Sequence, residues 1–244
     1  MYNGNVAEFC FDRDVSALAL CEDGGLLVAM DNGVYSLSSE NELKPFWVPE
    51  KLKGRRLNDG KIGPDGRYYI GSKDAEHEGA LYRIDSNGDC TEVLSHVGSS
   101  NGSAWSSDGS VFYYCDTMDM ELCAFDFDCE RGTLSNRRRV MGVPNGVGEF
   151  DGMTIDSEDM LWCAVWGAGS VYRIDPKVGK VIDSICFPVS KTSSCTFAGK
   201  DLKTLVVTTA SIRTDVVQEP LSGCTFAVEV DVPGRVSNRF RYVR

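Results

Sequence analysis

Apolar residues along this chain come in short runs, each cut off by Gly, Asp or Asn, as in "GLLVAMDNGVYSL" (25–37), "GRYYIGS" (66–72) and "MLWCAVWG" (160–167). The runs are rich in Val, Ile, Tyr, Phe and Trp, and their breaks carry Asp-Gly or Asn-Gly pairs. That is the signature of short strands joined by tight turns. Helical periodicity is not sustained over any window of eleven or more residues, so the pattern predicts an all-β chain.

The strand pattern repeats. Five segments share one outline of strand, D-G-like turn, strand, gap and third strand. They read "VSALALCEDGGLLVAMDNGVYSL", "LNDGKIGPDGRYYIGS…GALYRID", "SNGSAWSSDGSVFYYCD…LCAFDFD", "FDGMTIDSEDMLWCAVWG…GSVYRIDP" and "SSCTFAGKDLKTLVVTTA…GCTFAVEVD". Their turns begin near Asp23, Asp65, Asp108, Glu158 and Leu202, a period of 42 to 50 residues. Short strands at this period predict the blades of a β-propeller. The five units fill nearly the whole chain with no linker between them, so residues 1–244 read as a single propeller domain.

The first strand of each propeller blade lines the central channel, so equivalent positions converge on the axis. Seven residues before each turn stand Ser16, Asn58, Asn101 and Asp151, with Ser194 or Cys195 in the looser last unit. Three of these bring amide or carboxylate oxygens, the donors that suit a hard divalent cation such as Ca²⁺, Mg²⁺ or Mn²⁺. An isolated Asn-Gly or Asp-Gly pair is ordinarily turn chemistry. Recurrence of N-D-G, N-G and D-G in one register over three consecutive units points instead to a site.

Composition narrows the partners. A net charge of −11 argues against a nucleic-acid groove and against a surface that docks on anionic lipid. No run approaches 18 apolar residues, and no basic-then-apolar leader opens the sequence. The ten cysteines make no C-x-x-C pair and read mostly as small buried hydrophobes in a reducing, cytoplasmic setting. His77 and His96 lie in loop-like stretches, which leaves little room for a Ser-His-Asp triad or a histidine zinc site. "DFDCERG" (126–132) imitates an EF-hand start but has Arg137 where the bidentate Glu is needed, and reads as a hairpin. The basic run "SNRRR" (135–139) reads as a solvated strand end.

With these motifs in hand, the sequence resembles the family of senescence marker protein (regucalcin), gluconolactonase and luciferin-regenerating enzyme. "RRLNDGKIGPDGRYYIGS", "SNGSAWSSDGSVFYYCDT", "FDGMTIDSEDMLWCAVWGAGSVYRIDPKVGKV" and "TSSCTFAGKDLKTLVVTTA" carry the likeness, which runs along nearly the entire chain. The resemblance implies a six-bladed propeller of the lactonase type, with about five blades present here and most of the first missing. It implies one divalent cation (Ca, Zn, Mn or Mg) held by a first-blade Glu, by the Asn of S-N-G and by the Asp of D-G-M. The last two match Asn101 and Asp151. The family's Arg-x-Asn substrate motif matches Arg56 and Asn58, and Glu76 is the weaker counterpart of a Glu at the channel mouth.

Two departures stand out. Where the family usually has G-T-M, this chain has Gly71-Ser72-Lys73. The first-blade Glu has no counterpart, since the stretch that bears it would precede Met1, and "NGNVAEFCFD" resembles the outer strand of that blade. Ring closure is then expected from a strand around Ala7–Phe11 pairing with the last blade, from "RFRYVR" (239–244), or from a longer gene product. The function implied is metal-dependent hydrolysis of a small-molecule sugar lactone, with Asp151 taking a proton from the attacking water and Arg56 and Asn58 holding the sugar. The alternatives are a calcium- or metabolite-binding propeller that no longer turns substrate over, and a protein-interaction scaffold. A pure scaffold has no need of converging Asn and Asp oxygens.

Overall fold

A computed structural model describes residues 8–242 of the chain. Among them are nineteen strands, one 3-10 turn at Pro144–Gly146 and no α-helix, so no helix is long and apolar enough to cross a membrane. The strands form five antiparallel sheets in chain order, the blades of a propeller. Blade 1 holds β1 (Val15–Leu20), β2 (Leu26–Met30), β3 (Gly33–Leu37) and β4 (Leu43–Trp47). Blade 2 holds β5 (Arg56–Ile62), β6 (Tyr68–Lys73), β7 (Gly79–Ile84) and β8 (Cys90–Val97). Blade 3 holds β9 (Ser100–Trp105), β10 (Val111–Asp116), β11 (Glu121–Asp128) and β12 (Thr133–Gly142). Blade 4 holds β13 (Glu149–Ile155), β14 (Leu161–Trp166), β15 (Ser170–Asp175) and β16 (Lys180–Cys186). Blade 5 has three strands, β17 (Thr192–Ala198), β18 (Thr204–Thr209) and β19 (Phe226–Glu229).

Every predicted turn joins the first and second strands of a blade, and the innermost strands pack in the order β1, β5, β9, β13, β17. The hairpin expected at 126–132 joins β11 to β12, while "SNRRR" lies within β12 on its exposed side, where Arg137, Arg138 and Arg139 pair with Asp119, Asp126 and Glu121.

Period-two alternation fills the spaces between blades. On β6, Tyr68 and Ile70 join Leu27, Ala29, Val34 and Leu57 between blades 1 and 2, while Tyr69 turns the other way onto Trp105, Phe112 and Phe127 of blade 3. Trp105 and Phe112 lie with ring centroids 4.7 Å apart. Blades 4 and 5 close over Trp162, Ala164, Val171, Phe197 and Leu205. Half of the ten cysteines are buried, whereas Cys10, Cys129, Cys186 and Cys224 are exposed. The expectation that most are buried hydrophobes therefore holds for the inner strands and fails at strand ends and loops. On blade 1, the face turned away from blade 2 presents Phe11, Val15 and Leu18 with no sheet over it among the described residues, and Leu18 is 59% exposed.

The segment after β19 straps the turn end of the blades. Val230 N–H donates to Lys203 O, Gly234 N–H to Leu202 O, and Pro233 O accepts from Ser157 N–H. Further on, Arg235 reaches Trp105 O (3.1 Å), Asn238 Nδ2 reaches Ile62 O (3.1 Å), and Phe240 pairs in parallel with Cys21. Five blades are thus tied at one end of the channel by a single strand-like run. This differs from the two of the three expected ring closures that use the chain's own segments. Residues 8–11 form no strand, Ala7, Val243 and Arg244 lie outside the described residues, and residues 239–242 bond at the β1–β2 turn instead of extending the edge of the last blade.

Phe240 is the strap's anchor. It is fully buried and packs edge-on against Phe46 (5.4 Å) and Tyr242 (5.0 Å). A Phe240→Ala substitution is expected to cost about 3–5 kcal/mol, read as a lower urea midpoint. A loss under about 1 kcal/mol would contradict the anchoring role.

A candidate active site in the channel

The channel residues are aimed by a ring of β-bulges. Where β1 meets β2 the register shifts between Val15 and Ala17, skipping Ser16. Where β5 meets β6 it shifts between Leu57 and Gly60, leaving Asn58 and Asp59 unpaired. The same happens around Asn101 on β9, around Asp151 on β13, and at Ser193 on β17. An extra residue in one strand bends it and re-aims its side chains, which is how a ladder ending in apolar core turns polar groups onto the axis.

Glycines make the approach possible. A Cβ on Gly102 would lie 2.6 Å from Met153 Cβ and 2.9 Å from its backbone nitrogen, and one on Gly152 would run into Ser194, with its Cα at 2.7 Å. Neither glycine has a positive φ. The Asn-Gly and Asp-Gly pairs are therefore mid-strand contacts between neighbouring blades, and the turn explanation does not apply to them.

Two of the predicted residues are joined across blades, and their bonds run on to the neighbour of a third. Asn58 Nδ2 donates to Asn101 Oδ1 (2.9 Å) and to Ser100 O (2.7 Å). Asn101 Nδ2 donates to Thr117 Oγ1 (2.6 Å), whose hydroxyl donates to Phe150 O (2.8 Å), one residue before Asp151. This chain fixes the Asn101 amide, with its oxygen on the Asn58 side, in the manner of outer partners that orient a ligand. Both amide hydrogens of Asn58 are committed, which leaves its Oδ1 as an acceptor.

The channel also concentrates charge. Asp59, Lys61 and Asp151 keep some contact with the open channel, but protein surrounds each of them. Burial, then the negative charge of Asp59, holds the Asp151 carboxyl well above the ordinary carboxylate range, with Lys73 pulling the other way. Burial likewise raises Asp59 against the opposing pull of Lys61, and lowers Lys61, whose ammonium donates to Met153 O. Beside Gly60, the buried Tyr68 hydroxyl has no protein partner. The Cys115 and Cys163 thiols donate to Asp151 O (3.4 and 3.7 Å), and burial keeps Cys115 protonated. Asp59 and Lys61 were in plain view in the N-D-G-K motif. Counting one residue per unit overlooks them, because a bulge sends consecutive residues inward.

Other predicted positions fall differently. Arg56 is half-buried at the channel end of β5, and its guanidinium makes only a long 3.5 Å bond to Leu57 O. Glu76 sits exposed in the turn after β6, where its N–H donates to Asp74 Oδ1 (2.8 Å), apart from the Asn58–Asn101 chain. Ser16 donates to Ala29 O of its own blade (3.4 Å), and Cys195 is buried between blades 4 and 5. His96 lies on β8 and not in a loop. His77 stands at the rim with Asp116 and Asp119, their ligand atoms within 4.8 Å of one another. Asp116 already accepts three backbone N–H bonds, from Gly98, Ser99 and Met118, so it is occupied as a rim cap.

Comparison with known proteins bears on the family and the fold. The model of the SMP-30/Gluconolactonase/LRE-like region matches residues 2–211. Regucalcin of Sus scrofa is 35% identical over 236 residues, covering 91% of this chain and 79% of that protein. Among solved structures, a calcium-binding protein, regucalcin, from Agrobacterium tumefaciens superposes with a TM-score of 0.88 at 28% identity, over 96% of this chain and 81% of that one. A luciferin-regenerating enzyme superposes with a TM-score of 0.85 over 95% of this chain and 83% of that one; at 24% identity it bears on the fold alone.

The raised Asp151 carboxyl has a consequence for stability. The fold holds that proton more tightly than the unfolded chain does, so its contribution falls as pH rises above about 3.9. Without divalent cation, Asp151→Asn is expected to be more stable than the parent at neutral pH, with the gap narrowing towards pH 4. Denaturant midpoints against pH measure it, and a variant less stable at every pH would contradict the electrostatic account.

Proposed function

The chain belongs to the SMP-30/gluconolactonase/LRE-like family, and on that footing we propose that it is a divalent-cation-dependent hydrolase of sugar lactones working in the channel between Asn58, Asn101 and Asp151. The observation that carries this is a pair of enclosed carboxylates, Asp151 and Asp59, beside an amide oxygen held in place by hydrogen bonds. Such a set fits a hard cation: the donors are all oxygen, and a cation would offset the burial that lifts both carboxyls and the Asp59 charge that adds to it at Asp151. Asn101 Oδ1 and the Asp151 carboxylate would hold it.

Bound there, a divalent cation supplies polarisation of the lactone carbonyl and a more acidic water. Asp151, or Asp59 in the same channel, would accept the proton released as water adds. Asn58 Oδ1 accepts a hydrogen bond from a sugar hydroxyl, since its donors are occupied. Arg56, with most of its donors free, binds a hydroxyl or the ring oxygen and fixes the pose.

One observation favours a second reading, a cation or metabolite binder without turnover. The β1 bulge presents Ser16, which is bonded to its own blade, and so adds no third carboxylate or amide ligand beside Asn101 and Asp151. Lactone hydrolysis followed by pH-stat separates the two. After chelation, activity is expected to return with Mn²⁺, Mg²⁺, Ca²⁺ or Zn²⁺, and Asp151→Ala is expected to lower kcat/KM by roughly 10²–10⁴-fold. Full activity in Asp151→Ala would overturn the assignment, and cation binding with no turnover in the folded chain would favour the binder.

A further inference from the structure

Lys73 stands where the resemblance leads one to expect an apolar side chain, and its setting gives it a job. It ends β6, the only exposed residue of a strand otherwise buried along its length. Alternation puts it on the same face as Tyr69 and Gly71, the face that packs on blade 3 against Trp105 and Ser100. Its backbone is held on both sides, opposite Arg56 of β5 and in a bridge to Ser99, two residues before Asn101. The rim position of Lys73 is thereby fixed between the strands that carry Asn58 and Asn101.

Arg56 and Lys73 are direct cross-strand partners. Side chains so placed share one face with Cβ atoms about 4.5–5.5 Å apart, and like charges there repel. Among the described residues neither cation makes an ion pair, although the neighbouring Arg55 reaches Asp74 (3.9 Å) and the rim arginines of β12 are all paired. In a protein of net charge −11, these two cations thus stand side by side at the mouth of the channel without a carboxylate partner among the described residues.

From this juxtaposition, and resting on the lactonase reading of the same channel, we infer that Arg56 and Lys73 form a carboxylate-binding subsite that selects lactones of sugar diacids over neutral aldonolactones. The lactone ring lies on the Asn101–Asp151 side, and the substrate's remaining carboxylate spans the Arg56–Lys73 pair. Arg supplies the planar fork and Lys a point charge. Neutral sugars leave both cations facing each other without a counter-charge.

The test compares glucaro-1,4-lactone with glucono-1,5-lactone, with free divalent cation held constant because diacids chelate it. The parent, Lys73→Met, Lys73→Glu and Lys73→Arg are assayed for kcat/KM, and calorimetry measures binding of the open-chain diacid and monoacid to each. The parent is expected to prefer the diacid lactone by at least about tenfold. Lys73→Met is expected to lower that ratio by roughly 10- to 100-fold, the worth of one charge-assisted hydrogen bond, with Lys73→Arg retaining most of it and Lys73→Glu losing more. A parent without preference, or a Lys73→Met variant that changes both substrates alike, would overturn the subsite and leave Lys73 as a counter-charge to Asp151. Diacid binding that depends on Lys73 in a protein that hydrolyses neither lactone would keep the subsite and reject the hydrolase. Neutral-lactone turnover with an unaltered ratio would do the reverse.

Discussion

The contact on which the site depends is the meeting of inner strands at positions where one of the two can carry no Cβ. Gly102 lies against Asp151 O and Met153, and Gly152 against Ser194, so β9, β13 and β17 meet with a side chain from only one strand at each contact. That approach requires the ladder within each blade to slip, and the slip is the bulge. The bulges of β5, β9 and β13 in turn send Asn or Asp to the axis. Steric fit between blades, a packing matter, thus decides where the oxygen donors point, and the polar site is a by-product of how the blades close.

Burial then sets the chemistry. Carboxylates in a narrow channel with one lysine between blades cannot all be comfortably ionised, and Asp151 and Asp59 both respond by holding protons more tightly. Strain of this electrostatic kind is common at functional sites, where stability is given up for reactivity. The strap through Pro233, Arg235, Asn238 and Phe240 lies across the turn end of the channel, bonded to all five blades, while Arg56 and Lys73 mark the other end.

Much of this was legible in the sequence for a physical reason. Turn residues and strand alternation are local, so the five D-G-like turns at Asp23, Asp65, Asp108, Glu158 and Leu202 locate the blades without any tertiary information. A fixed count back from each turn finds Ser16, Asn58, Asn101 and Asp151 on the inner strands, because strand length is conserved by the pleat. What escaped was non-local. Asp59 and Lys61 enter the channel only because β5 bulges, and a bulge depends on the neighbouring blade as well as on the strand. The strap of residues 230–242 has no repeat and no regular pattern, and its bonds reach partners up to 221 residues away. The fate of Glu76, exposed in a rim turn, depended on a loop that the G-S-K substitution had already altered.

Two places on this protein gather groups that a cation could use: the channel set of Asn101 and Asp151, and the rim trio of His77, Asp116 and Asp119. Anomalous diffraction from crystals grown with Mn²⁺ distinguishes them directly. The account predicts a single strong peak within coordination distance of Asn101 Oδ1 and the Asp151 carboxylate, lost in Asp151→Asn crystals. A peak confined to the rim trio, or a channel that stays empty at saturating Mn²⁺, would contradict it.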